Sequence, residues 1–323
     1  MSINYRPSYE SIVPTTKQPL NTLEIEYFFK HAQYSIENLD KKDVSLYPID
    51  VNTQEIFFID NIFPKELCDN LCKSVDNCSK LSFWNCDTDE NQAKKFRNAE
   101  TIEMNYALFS NIIWNQIKTV FENFDVKINL IEPEHDSDWE RELPGLWIPT
   151  AVNPDLLFAR YPPGGHFAPH TDGRVTADFN NRSFYSIIIF LNDIPLEKGG
   201  GTRFYCENTK TLVSEEGNQL WTADKSNIIQ EVESVAGRCL IFNQKLLHEG
   251  VPTLEMYSKY IIRTDVMFSR TPPVCCNDSD LYAYSLYKKG EYLTEAGLIS
   301  EGIACMKKAV KSSSKELLSY LGM

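Results

Sequence analysis

His170-Thr171-Asp172 places an imidazole and a carboxylate two residues apart at the end of an apolar stretch, Phe158 to Arg174 (FARYPPGGHFAPHTDGR). On extended backbone, residues i and i+2 point to the same side, so both side chains reach a single ion. One more imidazole would complete the two-histidine, one-carboxylate face that holds a non-haem iron with coordination positions left open. The chain has five histidines, and only His248 lies downstream of this stretch. It follows an apolar run in GRCLIFNQKLLHEGVP that reads as a strand. His170, Asp172 and His248 are therefore the candidate metal ligands. An HxD alone arises by chance in many chains. What gives it weight is the order of the surrounding pieces: strand with HxD, strand, glycine-rich turn, strand with His, basic strand.

Those residues need a scaffold, and the pattern supplies one. Leu156–Tyr161, Ser183–Leu191, Thr202–Cys206, Arg238–Asn243 and Lys259–Phe268 read as short strands, and Glu55–Asp60 as an earlier one. SFYSIIIFL is almost continuously apolar, as expected of a strand buried on both faces. Pro162-Pro163-Gly164-Gly165 is a turn. Two amphipathic helices are expected at Lys65–Val75 and Ala107–Phe124, supporting a sheet. The fold expected is mainly β, a sandwich or jelly roll with helices outside it and a helical C-terminal extension. The domain reading is a polar arm over 1–45, an α/β support over 46–145, the jelly-roll core over 146–271 and a helical cap over 272–323. The cap contains YKKGEYLTEAGLISEGIACMKKAV, which has the look of one tetratricopeptide unit, and one unit cannot bury its own core. Glu132–Pro144 and Asn208–Glu233 read as polar loop or insertion, and His31 and His135 as surface residues.

Composition narrows the class of partner. The 323 residues carry a formal net charge of −13, against a nucleic-acid surface and against an anionic membrane. No apolar run has the length of a membrane span, and no segment near the start reads as an export signal. The nine cysteines show no zinc-type spacing, so reduced thiols and a cytoplasmic location are expected.

The ordered set Arg160-Tyr161-x-x-Gly164-Gly165-x-Phe167-x-x-His170-x-Asp172, Gly199-Gly200-Gly201-Thr202-x-Phe204, Gly237-x-x-Leu240-Ile241-Phe242, His248-Glu249-Gly250 and Lys259-Tyr260-x-x-Arg263-Thr264-Asp265 resembles the prolyl 4-hydroxylase-like branch of the 2-oxoglutarate/Fe(II)-dependent dioxygenases. FFIDNIFPKELCDNL resembles the opening of that family's catalytic domain, so the likeness runs over roughly 55–270. The resemblance implies a double-stranded β-helix, Fe(II), 2-oxoglutarate and O₂ as cofactor and cosubstrates, and ascorbate as an accessory reductant. It implies hydroxylation of an unactivated C–H bond with succinate and CO₂ as coproducts, on a prolyl residue of a peptide or protein or on a small molecule such as an amino acid. Tyr161 and Thr202 match the cosubstrate pocket, and the far carboxylate of 2-oxoglutarate needs a buried cation. Lys259 and Arg263 both qualify, one by its distance from His248 and the other by its bidentate fork. His166 falls at a non-ligand position on the pocket rim, and Trp147, Arg160 and Asp178 are candidates for its border. Other classes stay open: a non-catalytic jelly roll, a Zn or Mn cupin-type isomerase, and an interaction protein built on the C-terminal helices. All three ligands and a terminal cation favour the oxygenase.

Overall fold

A computed structural model of the chain describes residues 18–30, 32, 36, 39, 46–48, 56–85, 90–130, 144–206, 209, 211–213, 221–254 and 256–321. Most of the polar arm, the acidic stretch 132–143, His31 and His135 lie outside the described residues. The strands in chain order begin with β1 (Leu46–Pro48), β2 (Ile56–Ile59), β3 (Ser82–Phe83), β4 (Glu100–Asn105), β5 (Ile128–Leu130) and β6 (Gly145–Val152). They continue with β7 (Asp155–Tyr161), β8 (Phe167–His170), β9 (Thr176–Asp178), β10 (Asn181–Phe190), β11 (Thr202–Tyr205) and β12 (Thr211–Val213). The last are β13 (Trp221–Ala223), β14 (Ile228–Val232), β15 (Cys239–Asn243), β16 (His248–Gly250) and β17 (Lys259–Thr271).

The chain divides into two compact units, the first from 1–125, 151–173 and 184–266 and the second from 126–150, 174–183 and 267–323. In the first, a large sheet runs β1-β2-β15-β10-β17-β7-β4-β3 and a small one runs β14-β11-β16-β8. The two inner faces meet in an apolar core that includes Tyr161, Ile188, Phe190, Phe204, Val232, Leu240, Phe242 and Ile261. This is the expected jelly roll, two antiparallel sheets face to face.

Strand alternation explains the core. Along β10, Ser186, Ile188 and Phe190 share the inner face, while Tyr185, Ile187 and Ile189 share the other. Both sets are buried. The outer set meets the helical layer: Tyr185 packs with Phe57, and Phe57 with Phe124 at a ring-centroid distance of 5.4 Å. The two supporting helices run Lys65–Asp76 and Ala107–Asn123, close to their expected bounds. Each buries a stripe at helical spacing, Leu67, Leu71 and Val75 in one and Phe109, Ile113, Ile117 and Val120 in the other.

In the second unit β5 pairs with β6, and β9 with the start of β10. The Arg182 guanidinium lies 4.7 Å from the Trp147 ring, a cation–π contact between two fully buried side chains. The helices Asp278–Glu295 and Ile299–Ser312 cross closely. A Cβ at Gly290 would stand 2.7 Å from Met306 Cγ. Tyr284 of the first of these helices packs on Phe179, ring centroids 4.4 Å apart. No helix among the described residues is long and apolar enough to cross a membrane.

Candidate metal centre

His170 ends β8 and His248 begins β16, and the two are direct partners in the small sheet. Their ring centroids are 4.3 Å apart. Asp172, two residues past β8, is tied to the chain after β15 by its N–H donating to the Gln244 carbonyl at 3.0 Å. One nitrogen of each imidazole and one oxygen of Asp172 all lie within 4.8 Å of one another. His170 Nε2 is 3.6 Å from Asp172 Oδ1 and His248 Nε2 is 3.8 Å from Asp172 Oδ2.

The donor set fits a divalent metal. Nδ1 of His170 faces the Ala168 carbonyl at 2.7 Å, and Nδ1 of His248 faces the Leu246 carbonyl at 2.9 Å. A carbonyl only accepts, so each Nδ1 carries the proton, and each Nε2 lone pair is directed to the common point. Burial, with the neighbouring imidazole of His170, pushes His248 down to about 4, so it stays neutral. Burial alone would raise the Asp172 carboxyl, but Arg263 and the two imidazoles outweigh it and hold it well below the usual carboxylate range. The result is a neutral imidazole at His248 beside an ionised carboxylate at Asp172. Phe167 stacks on His170 with a centroid distance of 3.6 Å, and Phe242 meets His248 edge-on at 4.6 Å, which fixes both ring planes.

The other candidate residues separate into two groups. Lys259 faces Tyr161 across the β17–β7 pair, with Nζ 5.4 Å from the Tyr161 ring centre and 5.3 Å from that of Phe190. Its side chain is buried, and its hydrogen-bond acceptor among the described residues is the Gly201 carbonyl at 3.3 Å. No carboxylate among them forms an ion pair with it. Burial pushes the ammonium down to about 7, against a pull from Glu231. Next to Gly201, the buried Thr202 hydroxyl has no hydrogen-bond partner. Arg263, by contrast, is engaged. Its Nη1 is 2.8 Å from Asp265 Oδ1 and its Nη2 is 3.4 Å from Asp172 Oδ2.

His166 stands apart from the triad, its ring nitrogens 3.3 Å from the carbonyls of Gly164 and Lys95. Arg160 alternates away from Tyr161 on β7 and forms ion pairs with Asp76 and Glu100. Asp178 accepts from Asn180 and Asn181 in the turn that starts β10. The sequence reading missed Ser186, Gln244, Asn153 and Asp265. A serine on the inner face of an otherwise apolar strand was the available signal for the first, and the Arg-Thr-Asp spacing for the last.

Residues 156–264 match the family model described as the 2OG-Fe(II) oxygenase superfamily. The matched segment contains all three triad residues and both basic candidates. Similar solved structures include a prolyl-4-hydroxylase of Pseudomonas putida, 14% identical over 74% of this chain and 98% of that one, TM-score 0.39. A Trichoplax adhaerens prolyl hydroxylase, in complex with a hypoxia inducible factor peptide fragment, is 13% identical over 78% and 94%, TM-score 0.40. HygX from Streptomyces hygroscopicus, with nickel and 2-oxoglutarate bound, is 11% identical over 78% and 88%, TM-score 0.40. No curated protein matches the chain by sequence. The cysteines among the described residues are free thiols.

Proposed function

We propose that this chain is a 2-oxoglutarate- and Fe(II)-dependent dioxygenase that hydroxylates an unactivated C–H bond, with succinate and CO₂ as coproducts. The observation that carries this is the buried ammonium of Lys259, which has no carboxylate partner among the described residues and stands beside the Thr202 hydroxyl, unpartnered among them, in the sandwich that also holds the triad. A buried charge without a counter-ion is costly, and a bound carboxylate relieves it. His170, Asp172 and His248 would hold the iron, which when bound supplies the oxidative chemistry of the reaction.

The chain's own residues do the rest. Lys259 binds the far carboxylate of 2-oxoglutarate, Thr202 donates a hydroxyl hydrogen bond to it, and Tyr161 forms the wall between that carboxylate and the metal. The apolar ring of Phe167, Phe190, Phe204 and Phe242 limits water around the site, which strengthens each charge contact within it. For the substrate, a prolyl residue in a peptide is the reading the sequence resemblance supports, with a free amino acid or other small molecule as the second.

The test is an anaerobic titration of metal-free protein with Fe(II) and then 2-oxoglutarate. A visible charge-transfer band is expected on the second addition. It should be absent in His170→Ala and Asp172→Ala, and need at least tenfold more 2-oxoglutarate in Lys259→Met. Iron binding without a band in the wild type would reject the oxygenase reading in favour of a non-catalytic or cupin-type site.

A further inference from the structure

We propose that Arg263 and Asp265 position the Asp172 carboxylate for metal binding, closed into a ring by Gln244, and that Arg263 is not a receptor for the cosubstrate. The proposal rests on the reading of Asp172 as a metal ligand.

The ring is continuous. Asp172 donates its N–H to the Gln244 carbonyl at 3.0 Å. The Gln244 amide Nε2 donates to Asp265 Oδ1 at 2.8 Å. Arg263 Nη1 lies 2.8 Å from that same oxygen, and Arg263 Nη2 returns to Asp172 Oδ2 at 3.4 Å. Two further residues brace it. Asn153 Nδ2 donates to Asp265 Oδ2 at 3.3 Å. Ser186 donates its hydroxyl to Asp172 Oδ2 and accepts from Arg263 Nη2 at 3.2 Å. Asp265 and Gln244 are each 1% exposed, so neither is there for solvent.

Charge explains why a strand would bury Asp265. A guanidinium beside Asp172 with no other partner would neutralise it and compete with a metal for its electrons. Two carboxylates around one guanidinium leave one net negative charge, and that charge is available to the metal. Geometry points the same way. The donors Ser186 and Arg263 both meet Asp172 Oδ2, which also stands 3.8 Å from His248 Nε2, whereas Oδ1 faces His170 Nε2 at 3.6 Å, so the clamp acts on one oxygen while each faces an imidazole. A guanidinium whose two Nη groups are already held by the chain is a poor receptor for a dicarboxylate, while Lys259 is free to be one. Partners that orient metal ligands typically change affinity by about 10- to 100-fold when removed.

The test uses the full chain and Co(II), whose visible absorption reports coordination, with a competing chelator to measure affinity. Asp265→Asn and Arg263→Gln are expected to weaken Co(II) binding by about tenfold or more and to alter the absorption band. Arg263→Lys should recover part of the affinity. With Zn(II) at saturation, 2-oxoglutarate affinity should change less than about threefold in Asp265→Asn, in contrast to the loss in Lys259→Met. Should Asp265→Asn fail to fold, Asn153→Ala removes one brace of the ring, the 3.3 Å contact to Asp265 Oδ2, along with the acceptor of the Asp155 N–H, and should give a smaller loss of Co(II) affinity in the same direction. Unchanged Co(II) affinity in Asp265→Asn and Arg263→Gln overturns the proposal. So does a tenfold loss of 2-oxoglutarate affinity in Arg263→Gln at unchanged Co(II) affinity, which would make Arg263 the cosubstrate receptor. If the wild type binds Co(II) but takes up no 2-oxoglutarate, the proposed function fails while the Co(II) comparison still decides the ring.

Discussion

In the proposed function, Lys259 is the residue whose state would decide cosubstrate capture. Its ammonium is pushed down to about 7 by burial, so the ligand-free protein loses that charge near neutral pH. A carboxylate binds the charged form, so above this pKa each binding event must first take up a proton. We predict that 2-oxoglutarate affinity is flat below about pH 6.5 and falls by up to about tenfold per pH unit above 7.5. Calorimetry in buffers of different ionisation enthalpy should show proton uptake at pH 8 and none at pH 6. A pH-independent affinity from 6 to 9 would remove Lys259 as the anchor. The sign for stability is opposite. The folded pKa lies below the unfolded one, so the cost of the buried charge is fully present below pH 7 and is relieved as pH rises from 7 towards 10.5. Lys259→Met should therefore stabilise the ligand-free protein at pH 6 while weakening cosubstrate binding at least tenfold.

The elements show why part of this site could be read in the sequence and part could not. β10 and β17 announce themselves by long apolar runs, and the three candidate ligands by residue type and order. The ring around Asp172 does not, because Gln244, Asp265 and Asn153 are distant in sequence and become neighbours only through strand pairing. β4 and β14 were missed for a related reason: their sequences, ETIEMN and IIQEV, mix polar and apolar residues, and pairing rather than pattern makes them strands. The choice between Lys259 and Arg263 was undecidable from spacing, since they lie four apart on one strand and share its inner face. The glycine run before β11 is legible as a turn, but its role becomes clear only in three dimensions. Gly199 has φ +76°, and a Cβ there would stand 2.0 Å from the Pro252 carbonyl oxygen. Gly199→Ala is thus strained twice, by conformation and by a backbone clash. The loop it displaces carries the Gly201 carbonyl that meets Lys259 and leads into Thr202. We predict a loss of at least about 2 kcal/mol in unfolding free energy by denaturant titration, with weakened 2-oxoglutarate binding and intact metal binding. Gly164→Ala, where a Cβ meets nothing within 4 Å, should affect stability through its positive φ alone and so by less.

Across the whole molecule, the formal net charge of −13 contrasts with the proposed capture of a dianion on a buried cation. The charge distribution outside a site governs approach, while the buried contact governs retention. A divalent metal and a dicarboxylate should therefore experience opposite long-range fields on their way in. Salt screens such fields over a Debye length of about 10 Å at 0.1 M, but acts much less on a desolvated contact. Stopped-flow association is thus predicted to respond in opposite directions to ionic strength between about 0.02 M and 0.2 M. Metal uptake slows as the attraction is screened, and 2-oxoglutarate uptake by the metal-loaded protein speeds up a fewfold as the repulsion is screened, with dissociation rates nearly constant. If 2-oxoglutarate association instead slows with salt, the approach is ruled by a local positive field, and Lys259 is felt by the cosubstrate before it enters the sandwich. That outcome would relocate electrostatic selection from the buried ammonium to the mouth of the site.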